Sequence, residues 1–102
     1  MAKRKSKTYN LAKIKVIGIG GAGGNAVTRM SGDFVRGVDF IAINTDLQDL
    51  DHCVAKKKIY IGKELTRGLG TGMNPDLGRQ AAEESQSEIA EVLKGADMIF
   101  LT

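Results

Sequence analysis

The stretch Ile14-Lys15-Val16-Ile17-Gly18-Ile19-Gly20-Gly21-Ala22-Gly23-Gly24-Asn25 decides the fold class, because it joins an apolar run directly to a cluster of glycines. Residues 14–19 are mostly β-branched and predict a first strand. The glycines that follow predict a loop over Gly20 to Gly24, and apolar residues at helical spacing predict a helix over Asn25 to Met30. Gly18, Gly20 and Gly23 satisfy the pattern G-x-G-x-x-G, which between a strand and a helix is typical of a phosphate-binding turn.

The same alternation of strand and helix continues along the chain. Further strands are predicted over residues 38–43, 58–61 and 97–101, and a short helix or turn is predicted over residues 47–50. The second strand is apolar at nearly every position, which is typical of a strand buried on both faces. Alternation of this kind predicts an α/β fold, a Rossmann-like parallel sheet with flanking helices.

The longest predicted helix begins after a second glycine cluster. Asn74 is a good N-cap, Pro75 suits the first helical position, and Asp76 is favourable in the first turn. An apolar stripe runs from Leu77 at helical spacing, and Lys94-Gly95 is a plausible C-terminus. One continuous helix is therefore predicted over residues 74–94.

Composition indicates an ordinary globular protein. The chain has 102 residues, 42% of them hydrophobic and 26% charged, which is enough for one domain with its own core. The single cysteine cannot form an internal disulfide, and no apolar run approaches the roughly 20 residues of a membrane span. We therefore expect a cytoplasmic protein without direct membrane insertion.

The net charge of +3 arises mainly from the first few residues. Lys3, Arg4, Lys5 and Lys7 predict a basic, flexible tail over residues 1–12, followed by one nucleotide-binding unit over residues 13–102. A weak contact of the tail with membrane lipid or nucleic acid is the alternative interpretation. No aromatic residues alternate with the basic ones, so nucleic acid is not an expected partner.

Three loops at the predicted carboxyl ends of strands are the candidate site, because parallel sheets bind ligands at that edge. The second loop, Asn44-Thr45-Asp46, could contact a ribose or a phosphate-bound metal; capping of the following helix is the alternative. The third loop, residues 66–75, has glycines before a helix N-terminus, and its amides could close on an outer phosphate. Arg67 could balance phosphate charge or be merely solvated.

No catalytic constellation is visible in the sequence. One histidine and one cysteine, His52 and Cys53, cannot build a zinc site, and a surface turn is the expected structure there. The P-loop pattern G-x-x-x-x-G-K-[ST] is absent. We predict no catalytic residue and no metal ligand within this chain.

Two other functions compete with a nucleoside-triphosphate site. A dinucleotide-binding domain of an oxidoreductase would share the first strand and G-x-G-x-x-G. In such a domain an acidic residue at the end of the second strand is expected to bind the ribose, but Asn44 stands there. The third glycine-rich loop also argues against this function, because a dinucleotide-binding domain needs only the first. A non-enzymatic module that caps or poisons filaments is the other alternative.

Four stretches together resemble the tubulin/FtsZ family of GTPases. They are IKVIGIGGAGGNAVTRM (14–30), FIAINTDLQDL (40–50), KELTRGLGTGMNP (63–75) and GRQAAEESQSEIAEVLKGADMIFLT (78–102). The combination is far more specific than a single glycine loop. The resemblance implies that the chain is the N-terminal half of a truncated GTPase domain. It lacks the family's GGGTGTG-type loop, the guanine-binding residues and the acidic loop that positions water in a neighbouring subunit.

The resemblance also implies functional roles for the three loops. The first lies under the nucleotide phosphates, the second borders the same pocket, and the third senses the γ-phosphate; the implied residues are Gly20, Gly21, Ala22, Gly23, Gly24, Asn25, Asn44, Thr45, Asp46, Gly70, Thr71, Gly72, Met73 and Asn74. GTP or GDP is the implied ligand, with Mg²⁺ possible in the complete site. The complete protein is expected to hydrolyse GTP and to form filaments with division-ring proteins at the bacterial septum, whereas this fragment alone is not expected to be catalytic.

Overall fold

The computed structural model describes residues 12–32 and 37–102. Among these residues, four parallel strands form one sheet in the order β3-β2-β1-β4. The strands are β1 (Ile14–Ile19), β2 (Val38–Asn44), β3 (Lys57–Tyr60) and β4 (Met98–Leu101). The predicted Rossmann-like parallel sheet is confirmed. The predicted basic tail lies outside the described residues except for Ala12.

Alternation along the strands assigns each side chain to one face of the sheet. Ile17 of β1 lies opposite Ile41 of β2, and Ile43 lies opposite Ile59 of β3. These four isoleucines are at most 5% exposed and form one core with Ile61 and Ala81. The opposite face carries Ala42, Leu50 and Cys53 as a second, smaller core.

In the part of the chain that the structure describes, five helices connect and flank the strands. They are α1 (Gly20–Met30), α2 (Leu47–His52), α3 (Lys63–Thr66), α4 (Pro75–Glu84) and α5 (Gln86–Leu93). Within the described ranges, none of them is long and apolar enough to cross a membrane. The first two helices contribute Val27 and Leu50 to the buried residues, and the buried Cys53 directly follows α2. Residues Ala81, Ile89, Val92 and Leu93 of α4 and α5 pack against the isoleucine core.

The predicted loop over Gly20 to Gly24 is wrong, because these glycines form the first turns of α1. Glycine is the least favourable residue in a helix apart from proline, so local propensity favours a loop here. Tertiary packing overrides it. The helix backbone lies directly against β1, and there is no space between them for a side chain at Gly18 or Gly23.

The long predicted helix is interrupted at Ser85, so the prediction of one continuous element is wrong. Ser85 has φ −108° and ψ 24°, and its hydroxyl accepts a hydrogen bond from the backbone N–H of Gly62 at 3.3 Å. The predicted start is confirmed: the Asn74 side chain accepts from the N–H of Leu77 at 3.2 Å, with Pro75 as the first helical residue. The four-residue helix α3 was not predicted.

The side chain of Lys15 joins the C-terminal end of α5 to the sheet. The Nζ of Lys15 in β1 donates to the carbonyl oxygens of Val92 at 2.5 Å and Lys94 at 2.9 Å. These carbonyls belong to the last turn of α5, where a cation is favourable. The contact fixes α5 against β1 at the edge of the sheet opposite the candidate site.

Candidate functional site

The carboxyl ends of the first three strands surround a small cavity of about 130 Å³. Its lining includes one residue of the first loop, two of the second and one of the third: Gly20, Asn44, Thr45 and Thr71. The lining lies at the carboxyl ends of parallel strands, which is the edge of open α/β sheets where ligands bind. The cavity is smaller than ligand pockets of roughly 300–1,000 Å³, so it fits one group of a ligand and not a whole nucleotide.

The first loop presents the N-terminus of α1 to this cavity. The helix begins at Gly20, its N-cap residue Ile19 has no side chain that could cap it, and its first turn contains no acidic residue. The first N–H groups of any helix lack intrahelical partners and carry partial positive charge. An anion is therefore the ligand that this end of α1 favours.

The glycines of this segment occupy four different structural environments. A Cβ on Gly23 would lie 2.6 Å from the carbonyl oxygen of Thr102, and one on Gly24 would lie 2.6 Å from Cys53 Sγ. Gly20 has φ +77°, a conformation that glycine adopts without strain. Gly21 is exposed, and a Cβ there would meet only the Asp49 carboxylate at 3.4 Å. A larger side chain at Gly21 therefore has room without disturbing the fold.

Ala22 and Asn25 complete the predicted first loop. Among the described non-glycine residues, only Arg67 and Met73 have positive φ, so Ala22 adopts a negative φ and its methyl group causes no backbone strain. Both Ala22 and Asn25 are exposed on α1 and neither lines the cavity.

The second loop contains a buried amide without a partner. Asn44 and Thr45 are 8% and 6% exposed. The Asn44 Oδ1 accepts a hydrogen bond from the N–H of Asp46 at 3.0 Å, which fixes the side chain, whereas its Nδ2 is buried and has no hydrogen-bond partner. Buried polar groups are nearly always paired, because an unsatisfied donor costs about 1–3 kcal/mol. Asn44 is one of the residues that line the cavity, so this unpaired donor belongs to the cavity wall.

Asp46 has the capping function that the sequence left open. Its Oδ1 accepts from the N–H of Asp49 at 3.1 Å and caps α2. Its Oδ2 faces the third loop, 3.5 Å from where a Cβ of Gly70 would lie. One carboxylate oxygen thus holds α2, while the other lies beside the neighbouring loop.

The third loop lies against the second through its backbone. The N–H of Leu47 donates to the carbonyl oxygen of Gly68 at 3.1 Å, and the N–H of Asn74 donates to that of Thr71 at 3.2 Å. These bonds hold Thr71 at the cavity. The two loops therefore form one connected wall.

The remaining predicted residues of the third loop point elsewhere. Met73 is 97% exposed, with φ 62°, and Gly72 also has φ 62°. The Asn74 side chain is occupied in capping α4. Arg67 is exposed with φ 56° at the C-terminus of α3, where a left-handed residue commonly ends a helix.

Sequence reasoning missed four residues that line the cavity, namely Ile19, Ile43, Ile61 and Gly78. The three isoleucines are the last apolar residues before each loop, and their role as cavity walls follows from the parallel register. Gly78 lies in the interior of α4, and nothing is within 4 Å of where its Cβ would be. A glycine inside a helix costs about 1 kcal/mol of stability relative to alanine. A glycine within the predicted helix was therefore the sequence signal that could have pointed to Gly78.

Within residues 12–32 and 37–102, no group of three or more His, Cys, Asp or Glu side chains could hold a metal ion. His52 is exposed at the end of α2, and its Nδ1 lies 2.7 Å from the carbonyl oxygen of Gln48. The surface turn expected for both residues is wrong for Cys53, which is buried at 8% exposure. The cysteine packs where α1 has no side chain at Gly24, and its role is in packing.

Comparison with known proteins identifies the family. The family model "Tubulin/FtsZ family, GTPase domain" matches residues 13–102. An FtsZ point mutant from M. jannaschii superposes with a TM-score of 0.89 at 47% identity, over 95% of this chain and 29% of that one. An empty FtsZ dimer from M. jannaschii gives 0.86 at 43% identity, over 99% of this chain and 31% of that one.

A more distant relative has the same fold. CetZ2 from Haloferax volcanii, solved as a GTPγS-bound protofilament, gives a TM-score of 0.73 at 31% identity, over 87% of this chain and 29% of that one. The chain thus spans about three tenths of the length of the structures it matches. None of these matches supports the oxidoreductase alternative. With its glycine-rich α1 terminus, its parallel sheet and a family match over residues 13–102, this chain belongs to the tubulin/FtsZ family.

Proposed function

We propose that residues 13–102 form the phosphate-binding part of a guanine-nucleotide site in a tubulin-like GTPase. The observation that carries the proposal is the buried Nδ2 of Asn44, a donor without a partner beside a cavity at the ends of three strands. A phosphate oxygen is the acceptor that suits it, because the α1 N-terminus at the same cavity also favours an anion. The structural similarity to the GTPγS-bound CetZ2 protofilament supports a guanine nucleotide as the ligand.

The residues of the three loops divide this work by position. We assign the backbone N–H groups of the first loop to the phosphates, Asn44 and Thr45 to the inner wall, and the third loop to the terminal phosphate. The proposed ligand-binding residues are Gly20, Gly21, Ala22, Gly23, Gly24, Asn25, Asn44, Thr45, Asp46, Gly70, Thr71, Gly72, Met73 and Asn74. Backbone contacts need no particular side chain, which is consistent with six glycines among these fourteen positions.

In this proposal, GTP hydrolysis requires the complete domain. No residue described here has the arrangement of a general base, and the matched solved structures are about three times longer than this chain. Mg²⁺ would accompany the nucleotide and neutralise phosphate charge, and one carboxylate oxygen of Asp46 lies beside the third loop, 3.5 Å from where a Cβ of Gly70 would be. GTP is therefore the proposed substrate of the complete protein, and binding is the proposed contribution of these residues.

Self-association into filaments is the second part of the proposal. An FtsZ dimer and a CetZ2 protofilament are among the relatives, which supports assembly of like subunits. A cytoplasmic filament that acts with other proteins in a division ring is the cellular role that fits an FtsZ relative. Neither nucleic acid nor membrane insertion is part of this function.

The binding proposal is tested by replacing Gly21. Gly21→Val places a side chain in front of the α1 N-terminus, where its Cβ would meet only the Asp49 carboxylate at 3.4 Å, so the fold should survive. We expect titration with a fluorescent GTP analogue to detect no binding to this variant.

The matched control is Ala90→Val, which adds a branched side chain at an exposed position of α5, remote from the cavity. It should bind as the unmodified chain does. Retained affinity in a folded Gly21→Val chain, by far-ultraviolet circular dichroism, would refute the role of the first loop.

A further inference from the structure

The glycine inside α4 has no structural reason within the protein. Gly78 is the fourth residue of this helix, and glycine is the least favourable residue in a helix interior apart from proline. Its φ is not positive, and a Cβ there would meet nothing within 4 Å beyond the backbone of its own helix. By contrast, a Cβ on Gly23 or Gly24 of α1 would clash with a neighbouring atom 2.6 Å away. Packing explains those two glycines, but neither packing nor backbone conformation explains Gly78.

Gly78 lies on the face of α4 that is turned toward the sheet. It precedes Ala81 by three residues, and residues three apart on a helix lie on the same side. Ala81 is fully buried in the isoleucine core. Its Cβ lies 2.6 Å from where a Cβ of Gly62 would be, and Gly62 follows β3 closely in the chain. A side chain at position 78 would therefore extend into the space between α4 and the carboxyl end of β3.

That space belongs to the cavity at the nucleotide site. Gly78 lines the cavity together with Ile61, which directly follows β3, and Thr71 of the third loop. Gly20, the first residue of α1, lines it from the end of β1. Because β2 lies between β1 and β3 in the sheet, Gly20 and Gly78 stand on opposite sides of the end of β2.

The same cavity has an independent sign of a ligand in its wall. Asn44 is 8% exposed and lines the cavity, and its Nδ2 is buried without a hydrogen-bond partner. Buried donors are nearly always paired, so this one indicates an acceptor that is brought by a ligand. The backbone of Gly78 is not a further donor, because its N–H donates to the carbonyl oxygen of Asn74 at 3.1 Å. Gly78 therefore contributes space to the cavity and not a hydrogen bond.

We propose that Gly78 determines how many phosphate groups the site accepts. This inference rests on the proposed function, in which the first loop binds the phosphates and the third loop binds the terminal one. The third loop continues directly into α4, so a phosphate that reaches this loop also reaches Gly78. The missing side chain leaves room for the third phosphate of a nucleoside triphosphate. A methyl group at this position excludes that phosphate and leaves the place of a diphosphate unchanged.

The variant Gly78→Ala tests this role when fluorescent analogues of GTP and GDP are titrated into the full chain. We expect the dissociation constant for the GTP analogue to rise at least about tenfold, because an added methyl group overfills a space that a ligand already occupies. The dissociation constant for the GDP analogue should stay within about twofold. Urea unfolding should show a variant at least as stable as the unmodified chain, since alanine favours helix more than glycine does. Equal losses for GTP and GDP, or unchanged GTP affinity, would overturn the proposal.

The matched control is Gly32→Ala, the same substitution at an exposed residue beyond the far end of α1. A Cβ there would lie 3.5 Å from the carbonyl oxygen of Arg29, which is an ordinary contact. The control should bind both nucleotides as the unmodified chain does. A selective loss of GTP binding in Gly32→Ala as well would refute a specific role of Gly78.

The variant Gly21→Val separates a failure of this inference from a failure of the proposed function. It should abolish binding of GTP and GDP alike, because both carry the phosphates that the first loop binds. If a folded Gly21→Val chain retains both affinities, the proposed function fails. If Gly21→Val loses both nucleotides while Gly78→Ala shows no selective loss of GTP, only the role of Gly78 fails. An unmodified chain that binds neither nucleotide would overturn both.

Discussion

The substitution Asn44→Asp tests the nucleotide site at the one atom that most needs a ligand. The carboxylate has the same shape as the amide, and one of its oxygens can still accept the hydrogen bond from the N–H of Asp46, 3.0 Å from Oδ1 in the present structure. The other oxygen replaces the unpartnered Nδ2. A donor that faces the proposed phosphate therefore becomes an acceptor with negative charge.

Two losses set the magnitude. A hydrogen bond to a charged group contributes about 1.5–3 kcal/mol, which corresponds to roughly 10–150-fold in affinity. Repulsion between the carboxylate and a phosphate about 4 Å away adds up to about 4 kcal/mol at an effective dielectric constant near 20. We therefore expect the dissociation constant for GTP to rise by at least about a hundredfold.

The assay is titration of a fluorescent GTP analogue, with folding checked by far-ultraviolet circular dichroism because a buried carboxylate destabilises the fold. Gln86→Glu is the matched control, since it makes the same amide-to-acid change at an exposed residue of α5. The control should bind normally. Unchanged affinity in folded Asn44→Asp protein would refute the inference that this amide contacts the nucleotide.

Three further predictions concern the glycines and the N-terminal segment. Gly78→Ala should raise the free energy of unfolding by about 1 kcal/mol in urea titrations, and it should weaken GTP binding because its methyl group enters the cavity. Gly24→Val should lower stability by about 1–3 kcal/mol through the clash with Cys53, so thermal melting should show partial recovery in the Gly24→Val, Cys53→Ala double variant. Deletion of residues 1–10 should leave GTP affinity unchanged, and a large loss in the same titration would show that the segment belongs to the site.

The glycine-rich segment shows where sequence reasoning about structure stops. The pattern correctly places a strand before residue 20 and a helix after it, because apolar spacing records which face is buried. It does not reveal that Gly20 to Gly24 are helical, since local propensity opposes this. The contacts that make this segment helical are those of Gly23 with Gly18 and Thr102. Sequence patterns do not show that these residues touch.

The long helix demonstrates the same limit at its centre. Its start at Asn74 was predictable, because an N-cap and a following proline are local signals. Its interruption at Ser85 depends on the N–H of Gly62, which is more than twenty residues away in the sequence. Ser85 has no distinctive spacing that identifies such a partner.

The sequence predicts where the candidate site lies better than it predicts which side chains contribute to it. Parallel strands bring their carboxyl ends together, so Gly20, Asn44 and Thr71 could be expected at one edge. That Asn44 retains an unpartnered amide, while Asp46 and Asn74 are occupied as helix caps, depends on coordinates. For the same reason, Gly78 enters the site only through the packing of α4 over β3.

The most direct test of the nucleotide site is a titration of the isotope-labelled chain with GTP and with guanosine, followed by amide nuclear magnetic resonance. We predict that GTP shifts the side-chain amide signals of Asn44 and the backbone amides of Gly20 and Gly21 in a saturable way. Guanosine, which has no phosphate, should leave these signals in place. Shifts confined to other residues, or equal responses to GTP and guanosine, would contradict a phosphate site at this cavity.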